Sequence, residues 1–519
     1  MSNSVKFITE LDSAYHFEGE AITLGTGMLN GEVQTSHLVK VPLSTMNRHG
    51  LIAGATGTGK TKSLQLIAEG LSDHGVSTLL MDIKGDLSGI AQPGTTNPKI
   101  GDRVSKTGIQ WKPQQFSVEL LSLSDQLGVR LRATVSEFGP VLFSKILSLN
   151  DTQQSVMAII FKYADDKNLP LLDLEDLKAL MQYMGDEAKD EVQKLYGNIS
   201  PATLSTILRK VIELEQQHAG LFFGEPSFDP HDLLRTDANG KGMIHILRLT
   251  DIQDRPKLFS TFMLSLLAEI YSSFPETGDT EKPKLVVFFD EAHLIFEEAS
   301  KELLDQLETT IKLIRSKGVG IFFCSQNPQD IPPAILSQLG LKVQHALRAF
   351  TAADRKTIKT AAGNFPESEF YKVDEVLTQM GIGEALITAL NEKGIPTMLV
   401  HTMMCPPSSR MDILSDGEIQ ELMSSSQLSR VYSQTLDRSS ASELLKQRMH
   451  TSEKEEADEQ RDSSQVKGKK EPTTLEKMLK SPVVRSIGVA VAGTLARTLL
   501  GSLGLRTRTR STSSKRKKY

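Results

Sequence analysis

Eight consecutive residues, Gly54-Ala55-Thr56-Gly57-Thr58-Gly59-Lys60-Thr61, match the phosphate-binding pattern G-x-x-x-x-G-K-[ST] in full. Three glycines let the backbone curl so that successive N–H groups point inward at an anion. Lys60 is expected to reach the β- and γ-phosphates of ATP, and the Thr61 hydroxyl to bind Mg²⁺. The context agrees with the letters. Gly50-Leu51-Ile52-Ala53 reads as a strand entering the loop. From Lys62 onward, apolar residues at Leu64, Ile67, Ala68 and Leu71 have helical spacing, so a helix N-terminus faces the same anion. The expected nucleotide contacts run from Gly54 through Lys62.

A second constellation lies more than two hundred residues downstream. Leu285-Val286-Val287-Phe288-Phe289 is continuously apolar, as a strand buried on both faces must be, and it ends in Asp290-Glu291. Asp290 is expected to hold Mg²⁺, mostly through water, and Glu291 to act as general base on the attacking water. Nucleotide binding alone would have no use for such a base, so the pair points to ATP hydrolysis. The apolar run Val319–Cys324 ends in Ser325-Gln326, and Gln326 can either sense the γ-phosphate or close a strand turn. Arg315, Arg348 and Arg355 are candidates for an arginine that reaches a γ-phosphate, or else for surface ion pairs. Asp82, Lys84 and Asp86 follow another buried-type strand, which puts them near the nucleotide or at a subunit contact.

Alternating strands and helices predict an α/β fold with a mainly parallel sheet, in two segments, 36–100 and 240–405. Residues 1–35 read as a short β segment. Residues 100–240 read as a helical insertion, with helical periodicity over Val118–Leu131, Gly139–Leu149, Thr152–Ala164, Leu172–Met184 and Thr203–Gln217. Gly381–Thr388 and Pro396–His401 read as a closing hairpin. Residues 406–480 read as a helical or disordered linker, poor in apolar residues after Leu445.

At 519 residues the chain exceeds one ordinary core, so more than one structural unit is expected. Net charge is only −5, so a nucleic-acid surface would have to be a local patch. Two cysteines, Cys324 and Cys405, exclude a disulfide framework and suit a reducing cytoplasm. Residues 481–505 are apolar but interrupted by Arg485 and Arg497, which argues for a packing or membrane-surface helix rather than a membrane span. Residues 506–519 carry seven Lys or Arg and no acid, a tail that either binds phosphate backbones or aids solubility.

Taken in order, the phosphate loop, Asp82-Ile83-Lys84-Gly85-Asp86-Leu87-Ser88, Asp290-Glu291-Ala292-His293 and Arg315…Gln326-Asn327-Pro328 resemble the HerA/FtsK superfamily of pumping ATPases. More narrowly, they resemble the bacterial HerA-like DUF853 (YjgR-type) family, over about residues 15–405. The resemblance implies a RecA-like core, a homo-oligomeric ring that is hexameric, and ATP-driven movement of duplex DNA. It carries phosphate and Mg²⁺ binding to Lys60 and Thr61, Mg²⁺ binding to Asp290, the base to Glu291 and the sensor to Gln326; Arg315 matches a family arginine only loosely. HerA proper has a sizeable N-terminal β-barrel, where only a short stretch precedes the core here, and no winged-helix module is read. Translocation of DNA therefore follows from kinship, and hydrolysis from the motif residues. A different class of function is an assembly factor that remodels a protein partner docked on the C-terminal tail. DEAH-box helicases share the Asp290–His293 string, but they need a second RecA-like domain for which no motifs are found.

Overall fold

The computed structural model describes residues 3–217, 219–252, 256–278, 280–296, 301–433 and 439–449. It divides into two units, one formed by Met1–Ala133 with Gln216–Leu436, the other by Thr134–Glu215 with the C-terminal residues.

The first unit is built on a twelve-stranded sheet. Its strands, in chain order, are β1 (Ala21–Leu29), β2 (Glu32–Pro42), β3 (Gly50–Ala53), β4 (Ser77–Asp82), β5 (Val118–Ser122), β6 (Val129–Arg130), β7 (Ile244–Arg248), β8 (Leu285–Phe289), β9 (Val319–Ser325), β10 (Leu341–His345), β11 (Glu384–Thr388) and β12 (Val400–Met404). Their order across the sheet is β2-β1-β12-β11-β10-β3-β9-β8-β4-β7-β5-β6. From β10 to β6 every pairing is parallel; from β10 back to β2 every pairing is antiparallel. Strands β3, β8 and β9 are buried along their whole length, which is why they read as unbroken apolar runs. Each Val, Ile or Phe so buried contributes roughly 1.5–3 kcal/mol. The mainly parallel α/β core is as the alternation predicts, and the closing hairpin is the antiparallel pair β11–β12.

The structure differs from the sequence reading in four places. Helix α1 (Asn3–Ala14) occupies the start of the expected β segment, burying Phe7 and Leu11 one turn apart. The β1–β2 hairpin that follows is no separate piece, since β1 pairs with β12 and extends the main sheet. Within 100–240, Val118–Leu131 forms β5 and β6 rather than a helix. Both strands sit in the parallel sheet, where continuous burial erases the period-2 signal and leaves an apolar run that mimics a helix. Lastly, residues 408–411 are not linker. The Glu69 carboxylate, on helix α2 (Lys60–Asp73), accepts from the amides of Ser408 and Ser409 at 2.7 and 3.1 Å. Helices Asp416–Ser425 and Gln427–Tyr432 follow.

The second unit is helical. Its elements are Val135–Ile146 (broken at Gly139), Asp151–Lys167, Leu174–Gly185, Lys189–Tyr196 and Pro201–Gln216. Capping boxes at Thr134, Asn150 and Asp173 start the first three. Among the described residues, no helix is long and apolar enough to cross a membrane. The apolar stretch 481–505 and the basic tail 506–519 lie outside the described residues.

Candidate nucleotide site

Parallel strands deliver their carboxyl ends to one edge of a sheet, and ligands of open α/β sheets sit beyond that edge. Here β3 runs into Gly54, β9 into Gln326, β8 into Asp290-Glu291 and β4 into Lys84, and these four strands are consecutive neighbours. The topology therefore brings together residues that lie up to 272 positions apart.

The phosphate loop is stapled to the ends of its neighbours. Gly54 N–H donates to Ser325 O at 3.2 Å and Ala55 N–H to Ala346 O at 2.9 Å. Gly54, Gly57 and Gly59 all have positive φ, at 152°, 77° and 119°. At Gly57 an added Cβ would meet nothing within 4 Å, so this glycine serves the left-handed turn of an open cradle and not a close contact. The first backbone bond of α2 runs from Ser63 N–H to Gly59 O at 3.0 Å, which leaves the amides of Lys60, Thr61 and Lys62 ahead of the helix ladder. Lys60 is buried, and its ammonium donates to Gly54 O at 2.6 Å; burial holds its pKa below the usual lysine range.

Asp290 and Glu291 stand where β8 ends. Asp290 is 2 % exposed, and burial pushes its carboxyl up to about 7, with Lys84 opposing and Glu291, Asp86 and Asp82 reinforcing the shift. Its Oδ2 has no hydrogen-bond partner. A buried carboxylate with a bare oxygen, on the same sheet edge as the phosphate cradle, fits a hard divalent cation. Glu291 is 5 % exposed and takes φ 49°, left-handed backbone that a glutamate rarely adopts. Its Oε1 is ion-paired with the Lys84 ammonium. Its Oε2 lies 3.3 Å from His293 Nδ1, close but out of hydrogen-bonding alignment.

The remaining expected residues divide. Gln326 is exposed directly after β9, on the same edge. Lys62 turns away from the loop, its ammonium donating to Met411 O at 2.8 Å and Gln65 Oε1 at 3.2 Å. Arg315 precedes β9 and therefore stands at the amino edge, where its charge acts on the buried His49. It is not in the site of its own chain. Arg348 and Arg355 follow β10 on the carboxyl edge, both exposed. Cys324 lies buried in β9 with its thiol pushed well up by burial, which fits packing.

Sequence reasoning passed over His345 and the full role of Asp82. His345 ends β10, and its Nδ1 donates to Glu384 O at 2.8 Å, so its Nε2 accepts from the Ser63 hydroxyl at 2.9 Å. Burial holds it neutral, with its pKa pushed down to about 4. The first turn of α2 is thus tied to β10 and β11. A histidine at the end of the alternating strand Leu341–His345 was the available signal.

A family model described as "Helicase HerA-like C-terminal" matches residues 28–508. The chain belongs to the HerA-like helicase C-terminal family. Among relatives of this HerA-like chain, the DNA double-strand break repair helicase HerA of Saccharolobus solfataricus is 23% identical over 395 residues, covering 73% of this chain and 68% of its own. A probable helicase of Methanocaldococcus jannaschii is 24% identical over 389 residues, covering 69% and 68%. Among solved structures, the plasmid coupling protein TrwB in complex with a non-hydrolysable GTP analogue aligns with a TM-score of 0.49 at 14% identity, over 77% of this chain and 99% of that one.

Proposed function

We propose that this HerA-like chain is a Mg²⁺-dependent ATPase whose subunits form a hexameric ring and move duplex DNA. The observation that carries the hydrolytic part is the convergence of Lys60, Asp290 and Glu291 on one sheet edge, with both acids buried and incompletely partnered. The relatives' description as helicases supports the nucleic-acid part.

In this reading the amides of Gly57–Lys62 and the Lys60 ammonium bind the β- and γ-phosphates. Thr61 and Asp290 would hold Mg²⁺, which neutralises charge on the phosphate oxygens. A water beyond the γ-phosphate is oriented by Gln326 and Glu291. Its oxygen attacks the γ-phosphorus, its proton passes to the Glu291 carboxylate, and the bond to the β-phosphate oxygen breaks to release ADP. Of the three arginines, Arg348 and Arg355, exposed on this edge, would be the ones to reach the nucleotide of a neighbouring subunit. The test is steady-state ATP hydrolysis by the wild type and Glu291→Gln, each with and without linear duplex DNA. The expected result is a wild-type rate raised by DNA and a variant rate lower by ~10²–10⁴-fold. A wild-type rate indifferent to DNA would remove the DNA part of the reading and leave the ATPase.

A further inference from the structure

Lys84 has no part in the scheme above, yet it touches the catalytic carboxylate. The turn that carries it is built with unusual care. The Asp82 carboxylate, 1 % exposed at the end of β4, accepts from the amides of Gly85 at 2.7 Å, Asp86 at 3.2 Å and Leu87 at 3.2 Å. Gly85 sits at φ 78°, and a Cβ there would come within 2.8 Å of Thr250 Cγ2, so the turn tolerates no ordinary side chain. From this rigid base the Lys84 stem crosses to β8, and its ammonium pairs with Glu291 Oε1. The two partners differ in freedom: the Lys84 side chain is 38% exposed and that of Glu291 6%.

An ammonium paired with Oε1 competes with the attacking water for the carboxylate and leaves it only Oε2, so withdrawal of Lys84 frees both oxygens of Glu291. Lys84 also lies in the field of Asp290 and of Lys60, the lysine expected to reach the γ-phosphate. A lysine is a compact charge on a flexible stem, able to exchange one anion for another without moving its backbone. We propose that Lys84 is a positioning residue that senses the terminal phosphate: it holds Glu291 when that phosphate is missing, and transfers to the phosphate when ATP is bound, freeing the carboxylate. Hydrolysis would then return Lys84 to Glu291, so that the base is withdrawn after each turnover.

The inference rests on the ATPase reading, and two measurements on the full chain separate their failures. The first is calorimetric affinity for MgATPγS and MgADP. Lys84→Met should weaken MgATPγS by about tenfold, the worth of one charge-assisted hydrogen bond, and leave MgADP unchanged; Lys84→Arg should recover most of the loss. The second is a double-mutant cycle of Lys84→Met and Glu291→Gln, read as melting temperature. The two substitutions should be non-additive without nucleotide and additive in saturating MgATPγS. Equal losses for both nucleotides, or a coupling that persists with MgATPγS, would identify a structural ion pair and overturn the proposal. A wild type that binds neither nucleotide would overturn the site reading and this inference with it.

Discussion

The two edges of the parallel sheet solve the same problem in opposite ways. At the amino edge, ahead of β3, His49 is buried at 3 % exposure and both ring nitrogens are used: Nε2 donates to Ile311 O at 2.9 Å and Nδ1 accepts from Ile321 N–H at 3.0 Å. At the carboxyl edge, Asp290 is buried equally deeply with one oxygen unpartnered, and Glu291 pairs through one oxygen while its backbone is strained. A polar group whose bonds are complete holds a fold together. One that is buried and incomplete costs stability unless something else completes it. The difference sets the candidate site residues Asp290 and Glu291 apart from His49, whose bonds are complete.

The contrast breaks most visibly on substitution. Glu291→Gln should lower hydrolysis by ~10²–10⁴-fold and lower the melting temperature less than His49→Ala does, because the amide keeps the volume and gives up only the base and the ion pair with the half-exposed Lys84. His49→Ala should do the reverse. It leaves the Ile321 amide and the Ile311 carbonyl buried without partners, at a cost of about 2–4 kcal/mol, while the rate per folded molecule is preserved. Thermal melts and ATPase rates on the two variants check both halves. A stability loss for Glu291→Gln as large as that for His49→Ala would erase the distinction.

Acidity sharpens the same comparison. His49, His245 and His345 are all held down to about 4 by burial. Their unfolded forms titrate near 6.5, so between these values the unfolded chain binds more protons. The stability they contribute is complete above about pH 6.5 and is lost as pH falls through 4, up to ~3 kcal/mol for each. Asp82 and Asp290 are pushed up, to about 6 and 7, and act in the opposite sense: their contribution is present below the usual carboxylate pKa and lost as pH rises through the folded values. A difference between variant and wild type isolates one histidine. The melting temperature of His345→Gln relative to wild type should therefore rise as pH is lowered from 7 to 4.5. A difference independent of pH would mean that His345 takes up its proton inside the folded protein.

The residues whose type is dictated by reaction chemistry were legible in the sequence. Gly57 and Lys60 in the loop, and Asp290 and Glu291 after an apolar run, are tied to local spacing. The fully buried strands β3, β8 and β9 announce themselves by composition. What periodicity cannot carry is partnership. Nothing in the stretch around Lys84 names Glu291, 207 residues away, and nothing around Ser63 names His345, 282 residues away. Whether a residue faces inward is written locally, whereas which residue it meets is decided by strand order. The same limit misread Val118–Leu131, because a strand buried on both faces and a buried helix present the same apolar run. It also blurred Arg315, which neighbours Gln326 in sequence but lies at the other end of β9.

Arg315 provides the smallest expected effect and the most informative exception. Half-buried at the amino edge, it acts on His49 and stands a full strand length from the loop residues of its own chain. Arg315→Ala should cost under ~1 kcal/mol of stability and leave ATP affinity and hydrolysis unchanged. Arg348→Ala, on the carboxyl edge, should preserve affinity and lower hydrolysis in the assembled protein. An arginine supplied across an interface is worth up to ~10³-fold or more in rate. If Arg315→Ala instead abolishes hydrolysis while ATP still binds, the two edges are not separate in the assembly. The amino edge of one subunit would then complete the carboxyl edge of the next, and that pairing would set the direction in which subunits follow one another around a ring.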